Sequence, residues 1–293
     1  MPWLVVLLVS LLATGAVAQQ TPHAAPPPRE AELAGGVVTV RAEFPASRPG
    51  RRPAVIALLG NVRALTDAGF VAVTYKIHWE QLRQGEPTAA PADRAVGRWV
   101  LASPSASVLG ERYLRDVVAA AGVHVPAVID WMVAQPEIDA ARLGMVGGST
   151  NGFIALGAAA ADRRLRAVVA IAACGDFPLF LSGSSMGMAG APLSLAPAYA
   201  EWIAANQVVA HPERLVHAAV LMANRTGDPL IPIACADETA RVLAAAYAHA
   251  GAAERFRYER LAGEGHGLSD DEARLTLAWL RRWLGDGHSA PPS

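Results

Sequence analysis

The stretch LGMVGGSTNGFIALG, residues 143–157, constrains the fold more than any other part of the chain. It reads as a short apolar strand, a serine flanked by glycines, and the apolar start of a helix. A serine on so sharp a bend requires small neighbours two residues before it and two or three after it. Gly147, Gly148 and Gly152 meet that demand. The bend lifts the Ser149 hydroxyl above a sheet and aims the first N–H groups of the following helix, beginning with Thr150, at whatever the hydroxyl attacks. Those groups and the helix dipole favour developing negative charge.

A literal search for G-x-S-x-G selects Gly183-Ser184-Ser185-Met186-Gly187 instead. No apolar strand precedes Gly183, and Pro192 and Pro197 follow where a helix has to run. Ser149 is therefore the better nucleophile candidate. Further along, the apolar run 219–223 ends in Thr226-Gly227-Asp228-Pro229-Leu230-Ile231-Pro232. A helix over 238–249 and a short strand over 256–261 then lead to Gly263-Glu264-Gly265-His266-Gly267. Serine, acid and histidine follow one another, each after a strand. An alcohol is a poor nucleophile at neutral pH, so it needs a base such as His266 to take its proton and later return it to the leaving group.

These residues resemble the α/β-hydrolase superfamily, in particular its dienelactone-hydrolase-like and prolyl-oligopeptidase-like serine hydrolases. The pattern departs from the family at Asn151, where G-x-S-x-G has glycine, although asparagine tolerates unusual backbone angles and Gly152 follows at once. The resemblance implies an α/β-hydrolase fold: a mostly parallel central sheet flanked by helices, with a lid insertion over about residues 176–214. It also implies that Ser149 is the nucleophile, His266 the base and acid, and Asp228 the residue that holds the imidazole tautomer. Asp176, after the preceding strand, is the reserve acid. Thr150 would supply one oxyanion N–H, and the loop after the strand at 54–59 the other, from Gly60 or Asn61. That loop is short: only residues 60–69 separate two strands that must be parallel, which puts the second donor in question.

With 293 residues, 53% of them hydrophobic and 17% charged, the chain has the material for one large α/β domain, placed at 32–286. A formal charge of −1 and a pI near 6.7 provide no basic field for nucleic acid. A small neutral molecule, here an ester, is the expected partner, and the oligomeric state is not legible. Residues 1–18 carry an apolar run and then Ala16-Val17-Ala18, the form of a signal peptide with its cleavage site. Export to the periplasm or medium is expected, with an uncleaved anchor as the alternative, since the only positive charge before the apolar run is the terminal amine. The run of about ten apolar residues is too short to span a bilayer, so no stable membrane insertion follows cleavage. Residues 19–31 read as a proline-rich linker and 287–293 as a tail.

Residues 76–110 form a long polar excursion, in which His78 and Trp79 either line a cleft or serve as a solvated histidine and a packing tryptophan. Phe177, Phe180, Met186 and Trp202 lie where the family places its lid; they read equally as an acyl-binding wall or as core packing. Cys174 and Cys235 follow strands that are neighbours in such a fold, so they form either a disulfide or two buried thiols. Asn224-Arg225-Thr226 matches a glycosylation acceptor but sits at a strand end. No metal-ligand spacing or phosphate loop is present, and no cofactor is expected. The sequence thus reads as an exported esterase with an acyl-serine intermediate. A serine peptidase acting on short peptides, or a non-catalytic binding protein on the same fold, are the alternatives.

Overall fold

The computed structural model describes residues 24–46, 50–59, 62–79, 106–185 and 195–285, without the side chains of 106–111. The stretch expected to be a signal peptide, the first part of the expected linker, Gly60, Asn61, most of the 76–110 excursion, Met186 and the expected C-terminal tail lie outside the described residues.

Eight strands form one mixed sheet: β1 (Arg29–Leu33), β2 (Val38–Glu43), β3 (Arg52–Ala57), β4 (Val71–Ile77), β5 (Ile138–Gly148), β6 (Leu165–Ile171), β7 (Ala219–Gly227) and β8 (Phe256–Glu264). Their order is β1-β2-β4-β3-β5-β6-β7-β8. β1 and β2 pair antiparallel and β2 runs antiparallel to β4, while every pair from β4 to β8 is parallel. The central strands are Ala, Val, Ile, Leu and Met runs buried on both faces, as strands covered by helices on each side have to be. β2 instead alternates, with Val38, Val40 and Ala42 buried and Thr39, Arg41 and Glu43 less so.

The helices are α1 (Val62–Asp67), α2 (Ala106–Ala119), α3 (Val125–Val133), α4 (Thr150–Ala161), α5 (Phe177–Gly183), α6 (Pro197–Asn206), α7 (Ile233–His249) and α8 (Asp270–Leu284). A π turn, Ala120–His124, joins α2 to α3 without a break in helicity. The interruption expected near Gly122 and Pro126 takes this form for a local reason. Pro126 has no N–H to give the Gly122 carbonyl and its ring would collide with it, and a wider turn relieves both. α4 packs closely here, since a Cβ on Gly157 would lie 2.9 Å from Ala121 Cβ. α8 opens with a capping box between Ser269 and Glu272 and ends with Leu280 and Leu284 buried against Gly144. Each leucine contributes roughly 1.5–3 kcal/mol of transfer free energy.

Several boundaries differ from expectation. β1 starts at Arg29, inside the stretch assigned to the linker, because the hairpin with β2 pairs Arg29 with Ala42. β3 ends at Ala57, short of the apolar run, so the crossover to β4 covers residues 58–70. With α1 only six residues long, that is enough for a parallel connection, and Ala54 pairs with Val71 in register. α2 starts at Ala106, within the predicted excursion, and α7 starts at Ile233 rather than 238. The proposed lid region contains α5, α6 and two short 3-10 turns.

Candidate active site

Ser149 follows the last residue of β5 and caps α4. Its φ of 55° and ψ of −129° put a non-glycine residue at positive φ, which costs about 1–3 kcal/mol and survives only where the surroundings enforce it. The surroundings are close. A Cβ on Gly147 would lie 1.9 Å from the Asn151 carbonyl oxygen, and one on Gly152 2.6 Å from Ala173 Cβ and 3.0 Å from the Ile171 carbonyl. The Ser149 N–H donates to Ile171 O at 2.9 Å, which pins the bend to β6. The departure at Asn151 now has an explanation: the glycine demanded by close approach on the helix side falls at Gly152. Asn151 itself uses its side chain, with Nδ2 donating to Leu58 O at 3.4 Å.

The acid candidate leaves the sheet two strands away. Asp228 follows β7 and is buried, its Oδ1 accepting from the N–H groups of Leu230 at 2.8 Å and Ile231 at 3.1 Å. Its Oδ2 pairs with His266 Nδ1 at 2.8 Å. Burial alone pushes the Asp228 carboxyl up, but His266 and the two backbone donors outweigh it and hold the group below the usual carboxylate range. His266 rides on the turn after β8, whose Gly265 and Gly267 have φ of 88° and 154°, and its side chain is about a fifth exposed (21%). The loop is braced from behind: Ser184 Oγ donates to Leu230 O at 2.6 Å, and the Ser185 N–H donates to Pro229 O at 3.3 Å. Asp176, the reserve acid, accepts from Leu179 N–H at 2.9 Å as the cap of α5.

β5, β7 and β8 are parallel, so Ser149, Asp228 and His266 all emerge at one edge of the sheet, the edge formed by the strands' C-terminal ends. Ser149 Oγ takes no hydrogen-bond partner among the described residues. Thr150 N–H, the first of α4, has no intrahelical acceptor and points its dipole into the same region. Leu58 N–H donates to Val146 O at 2.9 Å and the Leu59 side chain covers Gly148; Gly60 and Asn61, the expected second oxyanion donors, lie outside the described residues.

Tyr113 is a neighbour that sequence reasoning missed. Its hydroxyl donates to Thr150 Oγ1 at 3.1 Å, and burial pushes the phenol up to about 12. Nothing in a helical apolar stripe distinguishes this tyrosine beforehand. The expected acyl wall fares differently. Phe180 sits in an aromatic cluster with Phe153 at 4.9 Å and Tyr113 at 5.9 Å, and Phe177 is equally buried, so both are core residues. Trp202 stacks on Tyr199 at 5.7 Å with Arg115 over its ring at 4.6 Å. His78 shares a 2.8 Å hydrogen bond with Thr39, and Trp79 packs edge-on to His124. Cys174 and Cys235 form a disulfide with Cα atoms 5.8 Å apart, joining the segment after β6 to the first turn of α7. Asn224 is buried and donates to Ala173 O at 3.0 Å. Among the described residues no group of three or more His, Cys, Asp and Glu side chains could hold a metal.

Residues 120–228 match the family model of the X-Pro dipeptidyl-peptidase (S15 family). Comparison with curated protein sequences returns no match. Among solved structures, the chain is similar to a puromycin-hydrolyzing peptidase of Mycobacterium tuberculosis, with 18% identity and a TM-score of 0.61 over 88% of this chain and 39% of that one. It is also similar to a protein assigned as a dienelactone hydrolase from Klebsiella pneumoniae subsp. pneumoniae, with 18% identity and a TM-score of 0.56 over 87% and 98% of the two chains. An acylaminoacyl peptidase gives 12% identity and a TM-score of 0.61 over 89% and 42%. The chain thus spans about two fifths of the two peptidases and nearly all of the dienelactone-hydrolase-like protein. At these identities the likeness is one of fold, and the fold is that of the α/β-hydrolases.

Proposed function

We propose that this chain is an exported serine hydrolase that cleaves a carboxylic ester through an acyl-serine intermediate. The observation that carries the reading is the His266 Nδ1 pairing with buried Asp228 Oδ2, at the sheet edge where Ser149 is held at positive φ. With Nδ1 engaged by the carboxylate, the other ring nitrogen is free to take the Ser149 proton as Oγ attacks the acyl carbon. The Thr150 N–H stabilises the oxyanion, with a second donor from Gly60 or Asn61. His266 then returns its proton to the departing alcohol, and a water repeats the sequence to release the acid. A serine hydroxyl without a partner at rest is consistent with a contact that tightens only around substrate. The Cys174–Cys235 disulfide supports export, because such bonds persist in oxidising compartments.

One observation favours a second reading. The match of residues 120–228 to a peptidase family supports cleavage of a short peptide amide by the same residues. Pre-steady-state release of p-nitrophenol from acetate and octanoate esters, set beside release of p-nitroaniline from dipeptide anilides, separates the two. For an esterase, the wild type shows an ester burst that Ser149→Ala loses, with turnover lower by roughly 10⁴–10⁶-fold. Faster anilide turnover would move the assignment to peptides. Hydrolysis of neither by folded wild type would overturn both in favour of a binding protein.

A further inference from the structure

Arg225, near the end of β7, touches both of the loops that carry the acid and the histidine. Its carbonyl oxygen accepts the Asp228 N–H at 3.4 Å. Its guanidinium crosses to the other loop, where Nη2 donates to Glu272 Oε2 at 2.6 Å. The same carboxylate oxygen accepts from the Ser269 N–H at 2.7 Å and from Ser269 Oγ at 2.8 Å, at the end of the segment that starts with His266. Glu272 is 1% exposed and Arg225 about a fifth. The backbone alone gives the His266 turn little to hold it. β7 and β8 slip register here: Arg225 pairs with Leu261 and Gly227 with Glu264, so β8 advances three residues while β7 advances two. The bond that follows, from the Gly265 N–H to Gly227 O, is long at 3.4 Å. Gly263, Gly265 and Gly267 all stand at positive φ, and glycine gives up more backbone freedom on folding than any other residue. Such a turn needs an anchor outside its own backbone to keep an imidazole fixed.

Helix capping accounts for part of this. A capping box needs only the exchange between Ser269 and Glu272, which an exposed glutamate performs equally well. It requires neither burial of the carboxylate nor an arginine from a strand. Taking both charges out of water carries a penalty that apolar residues of similar volume avoid, so stability alone is a poor reason for the pair. What the pair supplies is geometry. One side chain sets the distance between the turn that begins at Arg225 and the helix start that closes the His266 loop. His266 Nδ1 and Asp228 Oδ2, 2.8 Å apart, span the same gap.

We propose that Arg225 and Glu272 are positioning residues for His266: their buried ion pair, through Ser269, holds the histidine turn in register with Asp228. The inference rests on the reading of Ser149, Asp228 and His266 as the hydrolytic residues. The test is p-nitrophenyl acetate turnover by the full chain, with urea melts and amide hydrogen exchange followed by mass spectrometry. The variants are Glu272→Gln, Arg225→Lys, and Arg225→Met combined with Glu272→Met. Glu272→Gln and the double variant are expected to lower kcat about 10–10²-fold with KM held, the loss that follows a misplaced catalytic group. Both should quicken exchange over residues 262–269. Arg225 reaches Glu272 through a single nitrogen, so Arg225→Lys should keep most of the wild-type kcat. The double variant removes the two buried charges together, so its urea midpoint should stay near that of wild type or rise, which separates position from stability. A folded double variant with wild-type kcat overturns the proposal, and so does wild-type exchange over 262–269 in Glu272→Gln. If the wild type hydrolyses no ester, the functional reading fails and the exchange of Glu272→Gln alone decides on the positioning; it decides equally if the double variant does not fold.

Discussion

Two histidines, one at each edge of the same sheet, show what decides the chemistry of an imidazole. At the C-terminal edge His266 stands on a glycine turn with its Nδ1 against a carboxylate that is itself fixed by two backbone donors. At the N-terminal edge His217 is buried with no hydrogen bond completed at either ring nitrogen, and Arg255 donates to its carbonyl oxygen at 3.2 Å. The residue type is the same, but His217 is buried and the His266 side chain is about a fifth exposed. What also differs is the partner: a carboxylate fixes the orientation of the first ring, whereas burial, then Arg163 and Arg166, hold the second below the usual histidine range. A parallel sheet makes this asymmetry natural, because helices end with their carbonyls toward the N-terminal edge, where they favour cations, and begin at the other, where they favour anions.

The contrast can be broken most severely at Asp228. Asp228→Asn leaves the loop in place but presents the wrong partner to Nδ1, and kcat on an ester is expected to fall by about 10⁴-fold. The same variant checks the linkage to stability. A carboxylate whose folded pKa is depressed adds stability above its unfolded value, near 3.9, and loses it as pH falls through the folded value. The wild type should therefore lose stability on acidification below about pH 5 more steeply than the variant does, as urea melts at successive pH values will show.

Next in size is the covalent support of that edge. Removing the disulfide with Cys174→Ala and Cys235→Ala should lower unfolding free energy by about 2–4 kcal/mol in chemical denaturation. Gly152→Ala places a methyl 2.6 Å from Ala173 Cβ and 3.0 Å from a backbone carbonyl. It should cost about 1–3 kcal/mol, with a measurable fall in melting temperature. The smallest effect belongs to the other histidine. His217→Met removes a buried polar group that has no partner, and stability should shift by less than about 1 kcal/mol in the same melts. A large loss there would mean that the imidazole is as well satisfied as His266, and the comparison would fail.

The candidate site is largely legible because its signals are local. The elbow needs small residues within a few positions of Ser149, the acid follows a strand end, and the histidine sits between glycines. Even the departure at Asn151 was visible, though its meaning required knowing that Gly152 meets β6. The features that stayed hidden depend on pairing across distance. β1 exists because Arg29 finds Ala42, and the crossover closes because β3 stops at Ala57. Tyr113 reaches Thr150 only through helix packing. Phe177 and Phe180 were ambiguous from the start, since aromatic residues near a site have the same sequence spacing whether they face substrate or core. The bulge at Arg166 is not legible at all, because a bulge is a property of two strands in register.

One residue turns a helix by about 100°. The π turn at Ala120–His124 accommodates one residue more than an α-helical turn holds, so α2 and α3 form a continuous run of helix with two different phases. α3 keeps Val128, Ile129 and Met132 buried, while α2, out of step with it, turns Tyr113, Leu114 and Val117 inward. Tightening that turn to α geometry without removing a residue would leave α3 in its bed and rotate the α2 stripe by about 100°, taking the phenol from Thr150. The contact beside the elbow therefore depends on one widened turn, which ends 25 residues before Ser149 and is marked in the chain only by Gly122 and Pro126.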